Sequence, residues 1–370
     1  MAVSMDVMNE NHPTPYTIDV PDKDLAELRE RLAATRWPDA VADDWSRGTP
    51  LSALRTLVDR WSGHDWKASE ERLNRLDHFM SDGIHFVRAG TRGKPPLLLL
   101  HGWPDSFLRF EKIVPLLADD FDLVVPSIPG FGFSDRPQTP GTGAARTADL
   151  FAGLMERLGL ERYGVHGGDC GGQIAEALAR GHGDRVTGLH LTDLPFWHTF
   201  VDPSTLDDAE RQFLQDAQEW SRQESAYQMV QSSKPQTLAY GLNDSPAGLA
   251  AWFFEKYQSW SDGDAVTALG IDAILDNLTL YWVTQTGPSS VRYYYENSTT
   301  LPEILSRPPT TVPVGFVQFP ADLQHPPRSL VERSLNLQHW TDMPSGGHFT
   351  AWEAPQPLAD DLRAFFRDRT

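Results

Sequence analysis

The chain predicts an α/β architecture with a mostly parallel central sheet, one large helical insertion and a helical segment at its N-terminal side. Three observations predict it. Short apolar runs with strand character alternate with helical patterns over residues 79–192 and again from 312 onward, and such alternation builds a parallel sheet. The run Leu97-Leu98-Leu99-Leu100 is continuous rather than alternating, as a parallel strand buried on both faces requires. Between residues 194 and 301 the alternation stops and helical spacing takes over, which reads as a cap inserted into the core.

Taken in order, residues 1–15 read as a loose tail or an extended arm. From Pro21, Leu25, Leu28 and Leu32 share one helical face, and Asp22 and Asp24 sit at the positive end of the helix dipole. A second amphipathic segment carries Leu51, Leu54, Leu57, Val58 and Trp61, and a third Leu73 and Leu76. Strands are expected over 79–88, 97–100, 121–126, 163–167, 186–192, 312–319 and near 337–341, with helices over 146–160, 172–179 and from Leu358. Within the insertion, 209–230, 247–260 and 265–284 have helical spacing, and the block is rich in aromatics, Trp197, Trp220, Trp252, Phe253, Trp260 and Trp282 among them. The expected division is an N-terminal helical segment over 1–78, a core in two parts over 79–193 and 306–370, and a cap over 194–305.

The composition narrows the function. A formal charge of −19 over 370 residues repels phosphates, so nucleic acid is not an expected partner and a neutral organic substrate suits the surface better. The single cysteine, Cys170, rules out an intrachain disulfide and fits a reducing, cytoplasmic setting. The first 20 residues are polar, proline-broken and without a basic start, unlike a secretory signal. No stretch approaches the ~20 apolar residues that span a bilayer, so a soluble protein without a membrane partner is expected. A homodimer is a compatible assembly.

The chemistry is expected at Gly167-Gly168-Asp169-Cys170-Gly171, where a short strand meets a helix. This has the form G-x-S-x-G with Asp in the nucleophile position; the flanking glycines permit a sharp turn that exposes the central side chain at the end of the sheet. An acid in a Gly-rich turn is often just a solvated turn residue, but strand before, helix after and matching partners downstream argue for the α/β-hydrolase fold. A carboxylate needs no base to attack. It suits displacement at an sp³ carbon, as in an epoxide or alkyl halide, and leaves an alkyl ester for water to cleave.

The base for that second step is expected at His348, in Gly346-Gly347-His348-Phe349, which follows the last strand in the chain order of this fold. Any one of the twelve histidines is more often a surface or packing residue; its place and glycine flanks single out His348. The acid orienting it is Asp322, in Phe319-Pro320-Ala321-Asp322, or Asp193 at the end of the 186–192 strand, and spacing alone leaves the two equal. The loop His101-Gly102-Trp103-Pro104 follows the 97–100 strand, so the backbone N–H groups of Trp103 and Cys170 are the expected oxyanion donors. A reactive role for the Cys170 thiol lacks a basic neighbour in sequence. No metal or organic cofactor is required.

These motifs resemble the microsomal-type epoxide hydrolases, and the resemblance covers almost the whole chain. Tyr16-Thr17-Ile18-Asp19-Val20 through Trp37-Pro38, then Trp61 and Asp65-Trp66, are similar to that family's N-terminal region. His101-Gly102-Trp103-Pro104 and Gly130-Phe131-Gly132-Phe133-Ser134 resemble two more of its motifs. The resemblance implies Asp322 as the relay acid. It also implies two cap tyrosines that hold the epoxide oxygen: Tyr227 in Ser225-Ala226-Tyr227, and Tyr294 in Arg292-Tyr293-Tyr294-Tyr295-Glu296-Asn297, with Tyr293 and Tyr295 as competing registers. It implies an epoxide and water as substrates and a vicinal diol as product. Two departures stand out: Cys170 replaces the usual Trp after the nucleophile, and the sequence reads as lacking the family's membrane anchor, so a soluble bacterial-type member is expected. Two other readings share the fold, a haloalkane dehalogenase and a non-catalytic ligand receptor. The paired tyrosines favour an epoxide over a halide, and the full set Asp169, Asp322 and His348 argues for catalysis.

Overall fold

The computed structural model describes residues 13–369; most of the segment read as a tail or arm, residues 1–12, lies outside them. Among the described residues nine strands form one sheet: β1 (Thr14–Tyr16), β2 (His78–Ser81), β3 (Ile84–Gly90), β4 (Pro96–Leu100), β5 (Asp122–Pro126), β6 (Tyr163–Gly167), β7 (Val186–Leu191), β8 (Val314–Gln318) and β9 (Leu337–Asp342). Their spatial order is β1-β2-β3-β5-β4-β6-β7-β8-β9. The pairs from β5 through β9 are parallel, and β1, β2 and β3 join antiparallel at one edge. This is the α/β-hydrolase fold. The central strand β4 is fully buried from Leu97 to Leu100, which accounts for its unbroken apolar run.

Several elements differ from the sequence reading, each for a local reason. The single strand expected over 79–88 is a hairpin, β2 and β3, closed at Asp82 (φ 51°) and Gly83 (φ 72°); an Asp-Gly pair between apolar flanks supplies the two positive φ values of such a turn. The expected arm includes β1, paired with β2. The helix expected over 209–230 is two, Asp208–Glu224 and Ala226–Ser233, and the one over 265–284 is Ala265–Leu269 and Ile271–Val283, broken at Gly270 (φ 93°). A further helix, Gly287–Thr299, carries the three consecutive tyrosines.

Between β7 and β8 the chain is helical, and these helices cover the end of the sheet where the strands deliver their C-termini. The helix Gly287–Thr299 is docked on the core through small polar groups: Ser289 Oγ donates to Gly130 O (2.5 Å), and Asn297 Oδ1 accepts from Ala144 N (3.0 Å). The N-terminal segment ties the same insertion to the sheet. Trp61 Nε1 donates to Thr279 Oγ1 at 2.8 Å, and Arg72 bridges Asp276 and Glu111, at 2.6 Å each. The covering helices therefore hold a fixed place over the strand ends.

One buried ion pair joins two loops of that surface. Arg109, almost fully buried, donates to Asp105 Oδ2 (2.7 Å) and to His348 O (2.7 Å), while Asp105 Oδ1 accepts from Gly102 N (2.7 Å). Asp105 is buried, which would raise its pKa, but the Arg109 guanidinium holds it below the usual carboxylate range. Arg109→Leu leaves that carboxylate uncompensated, and urea unfolding should show a loss of about 3–5 kcal/mol. A loss below about 1 kcal/mol would mean that the pair does not brace these loops.

Candidate active site

The centre of the site is a turn that ordinary residues resist. Asp169 lies between β6 and the helix Cys170–Gly181 with φ 53° and ψ −130°, a backbone state that costs a non-glycine residue of order 1–3 kcal/mol. The glycines around it are there because nothing else fits. A Cβ on Gly171 would lie 2.2 Å from Leu100 O, one on Gly168 2.1 Å from Thr192 Oγ1, and one on Gly167 2.4 Å from Gly171 O. The strand above and the helix below thus approach backbone to backbone, and the Asp169 side chain emerges at the sheet end beside a helix N-terminus that favours its negative charge.

Its two oxygens have different surroundings. Oδ1 accepts from Trp103 N at 2.9 Å, so the donor expected for an oxyanion already holds one carboxylate oxygen. Oδ2 lies 3.7 Å from His348 Nε2. The Cys170 amide, first of its helix, has no partner within that helix by position and is not bonded to Asp169 in this arrangement. The Cys170 thiol is buried, and burial followed by the Asp169 charge pushes its pKa well up, the opposite of a reactive thiolate.

His348 sits in a loop after β9 and is almost fully buried. Its backbone N–H donates to Trp260 O at 2.8 Å, and its Nδ1 lies 2.8 Å from Asp322 Oδ1. The structure therefore brings Asp322 to the ring, while Asp193 Oδ1 stands off at 3.9 Å. Asp193 instead accepts the Asp169 backbone N–H at 2.6 Å. Burial lowers the His348 pKa, but the charge of Asp322 and its hydrogen bond outweigh it and raise the imidazole to about 9. Burial, then the charge of Asp322, raises the pKa of Asp193.

Tyr227 and Tyr294 come from two helices that pack on each other, Ala226–Ser233 and Gly287–Thr299. Their rings are 6.1 Å apart, and both contact the Trp103 ring, Tyr227 by parallel stacking at 5.5 Å and Tyr294 edge-on at 5.7 Å. Among the three consecutive tyrosines, Tyr295 is exposed and Tyr293 packs against Phe131 on the docked face with Ser289 and Asn297. Tyr294 is the one that meets Tyr227. Burial, then the Asp169 charge, raises the pKa of both phenols well above the ordinary value, so they are neutral donors at neutral pH.

Asp169, His348, Tyr227 and Tyr294 all line one cavity of about 230 Å³, to which Leu194, Phe196, Trp220 and Leu323 contribute apolar surface. Two of its lining residues carry a buried polar atom without a protein partner, His348 Nε2 and Tyr293 Oη; Asp322 Oδ2 beside His348, and Trp103 Nε1 and Trp260 Nε1 beside Tyr227, are in the same state. Native interiors satisfy nearly all such groups, so those that line the cavity are available to a ligand or a proton. Two residues of the site carried no signal in the sequence. Lys256, buried, places its ammonium 4.6 Å above the Tyr227 ring, and Arg109 braces the His348 loop; neither belongs to a sequence motif that would mark it.

A family model described as epoxide hydrolase N terminus matches residues 13–110, and one described as alpha/beta hydrolase fold matches residues 95–237. The chain is 39% identical to a Stigmatella aurantiaca protein provisionally named epoxide hydrolase, over 96% of this chain and 84% of that one. It is 32% identical to epoxide hydrolase 1 of Sus scrofa, over 95% of this chain and 88% of that one. Among solved structures, an Aspergillus niger epoxide hydrolase superposes with a TM-score of 0.85 at 31% identity, covering 98% of this chain and 97% of the other. No helix among the described residues is long and apolar enough to cross a membrane.

The packing of the turn makes a paired test. Gly171→Ala drives a Cβ into backbone at 2.2 Å, whereas Gly241, inside a helix, has nothing within 4 Å of an added Cβ. Chemical denaturation should show Gly171→Ala destabilised by about 1–3 kcal/mol or more and Gly241→Ala stabilised by about 0.5–1 kcal/mol. Equal effects would contradict the close approach.

Proposed function

The chain belongs to the epoxide hydrolase family of the α/β-hydrolase superfamily, and on that premise we propose that Asp169 and His348 divide epoxide hydrolysis into an alkylation and an ester hydrolysis. The observation that carries this reading is the unequal environment of the two Asp169 oxygens, one on a backbone donor and the other free toward the cavity and His348.

In the first step the epoxide oxygen accepts hydrogen bonds from the hydroxyls of Tyr227 and Tyr294. Asp169 Oδ2 attacks an epoxide carbon, the C–O bond of the ring breaks, and one tyrosine gives its proton to the forming alkoxide. Oδ1 stays on the Trp103 N–H and becomes the ester carbonyl oxygen. A phenol can donate here without a lowered pKa, because an alkoxide is more basic still.

In the second step a water held at His348 Nε2 gives up its proton and attacks Asp169 Cγ. Negative charge develops on Oδ1, where the Trp103 N–H and, on this reading, the Cys170 N–H receive it. On collapse the second proton of that water passes to the departing Oδ2, so the diol leaves neutral and the carboxylate is restored with one oxygen from water. Asp322 holds the ring by Nδ1 and stabilises the imidazolium that forms. The proton His348 takes balances the one the tyrosine gave. Cys170 lines the cavity and is smaller than the Trp that the family resemblance leads one to expect there, so the site should accept a bulkier epoxide.

Paired phenols suit an oxygen leaving group that stays attached and must be protonated. A halide leaves without a proton, which is why the dehalogenase reading is not preferred.

Three measurements check this mechanism. His348→Ala should slow ester hydrolysis by roughly 10²–10⁴, so that intact mass shows an adduct of the whole epoxide on Asp169; normal turnover would remove His348 from the base role. Tyr227→Phe should lower the ester-formation rate about tenfold or more while leaving ester hydrolysis nearly unchanged. An equal loss in both steps would place Tyr227 elsewhere in the mechanism. The pH dependence follows from the raised pKa of His348, about 9 in the resting enzyme. A base must be neutral, so ester hydrolysis should accelerate as pH rises. Its apparent pKa should lie below the resting value, because the ester has removed the Asp169 charge. A hydrolysis step that slows with rising pH would contradict the assignment.

A further inference from the structure

We infer that Asp193 is a second acid for His348, a positioning residue that holds the nucleophile's turn and stands in reserve beside the relay formed by Asp322. This rests on the reading of His348 as the base.

The strand register puts Asp193 where it is. β6 and β7 are parallel neighbours with Gly167 opposite Leu191, so two residues further on Asp193 emerges beside Asp169. Its Oδ2 accepts the Asp169 backbone N–H at 2.6 Å and lies 3.3 Å from Thr192 Oγ1. The missing side chain of Gly168 makes room for it, since a Cβ there would sit 2.9 Å from Asp193 Oδ2. A hydrogen bond between a carboxylate and a backbone amide is among the stronger ones, and here it pins the residue whose φ is positive.

The other oxygen faces the base. Asp193 Oδ1 lies 3.9 Å from His348 Nδ1, the same atom that Asp322 Oδ1 approaches at 2.8 Å. Asp322 Oδ2 is buried without a partner. Two carboxylates thus flank one ring nitrogen, one bonded to it and one poised. Both charges favour the imidazolium, but each also discourages the other, as like charges in a dry site do. Removal of Asp322 relieves that repulsion and vacates Nδ1. The Nδ1–H then turns to Asp193 Oδ1, and the ring keeps its tautomer and its counter-charge.

Asp193→Asn separates the two duties, because its amide oxygen still accepts the Asp169 N–H while the charge is gone. Ester formation and ester hydrolysis are measured separately, by single turnover with styrene oxide, in the full-length wild-type, D193N, D322A and D322A/D193N proteins and in H348A. D193N should slow hydrolysis by roughly threefold to tenfold, and D322A by about tenfold to a hundredfold. Loss of both acids should approach the ~10⁴-fold cost of a triad without its acid. Ester formation in the double variant should stay within about tenfold of D322A, as expected of an intact turn. Hydrolysis in D322A/D193N equal to that in D322A would overturn the inference. Normal hydrolysis in H348A would instead reject the base assignment beneath it. If D322A does not fold, the same comparison is made with D322N and D322N/D193N.

Discussion

The structure depends on one tight crossing, where β6 turns into the helix Cys170–Gly181 through Asp169. A positive φ at a residue with a side chain is a local cost, and the molecule offsets it with contacts from every side. The Asp169 amide is held by Asp193, its carboxylate by the Trp103 amide, and its glycine neighbours press backbone against Leu100 and Thr192. The reward is position. A carboxylate that would otherwise rotate freely presents one oxygen to a donor and the other to the cavity, and such preorganisation is worth more than any single contact in lowering a barrier.

Charge is arranged around that turn with little help from water. Asp169, Asp193 and Asp322 are three carboxyl groups within reach of a single imidazole. Such a cluster costs desolvation and mutual repulsion, and is tolerated only because each group has a designated donor: Trp103 N for Asp169, Asp169 N for Asp193, and His348 Nδ1 with Leu323 N for Asp322. Arg109 carries the arrangement outward, tying the His348 loop to the loop that supplies the Trp103 donor. The covering helices close the site from above with the neutral phenols of Tyr227 and Tyr294, which add no charge to it.

What could be read from the sequence was whatever repeats at short range. The buried run of β4, the Gly-rich crossing at Asp169 and the His348 loop are local patterns with a physical cause, and they lie where those patterns predict. Spacing left Asp193 and Asp322 equal, and only the three-dimensional distances, 3.9 against 2.8 Å, separate them. The hairpin at Asp82-Gly83 was legible in its turn residues but was absorbed into one alternating run. Helix breaks at Ser225 and Gly270 were masked because both flanks keep helical spacing. Lys256 and Arg109 could not be found at all from sequence, since a cation in a helix acquires meaning only from what the fold stacks against it. The choice of Tyr294 over Tyr293 and Tyr295 depends on how one helix face docks on the core, and one residue of register equals about 100° of rotation.

The central claim is that water attacks the Asp169 carboxyl carbon and not the epoxide itself. A single turnover in ¹⁸O-labelled water, with enzyme in excess over styrene oxide, tests it directly by mass spectrometry of the diol and of the peptide containing Asp169. The account predicts an unlabelled diol and one ¹⁸O atom in the Asp169 carboxylate, because Oδ2 leaves with the product and water replaces it. A labelled diol with an unlabelled Asp169 would mean that water opens the ring directly, and the covalent mechanism would be wrong.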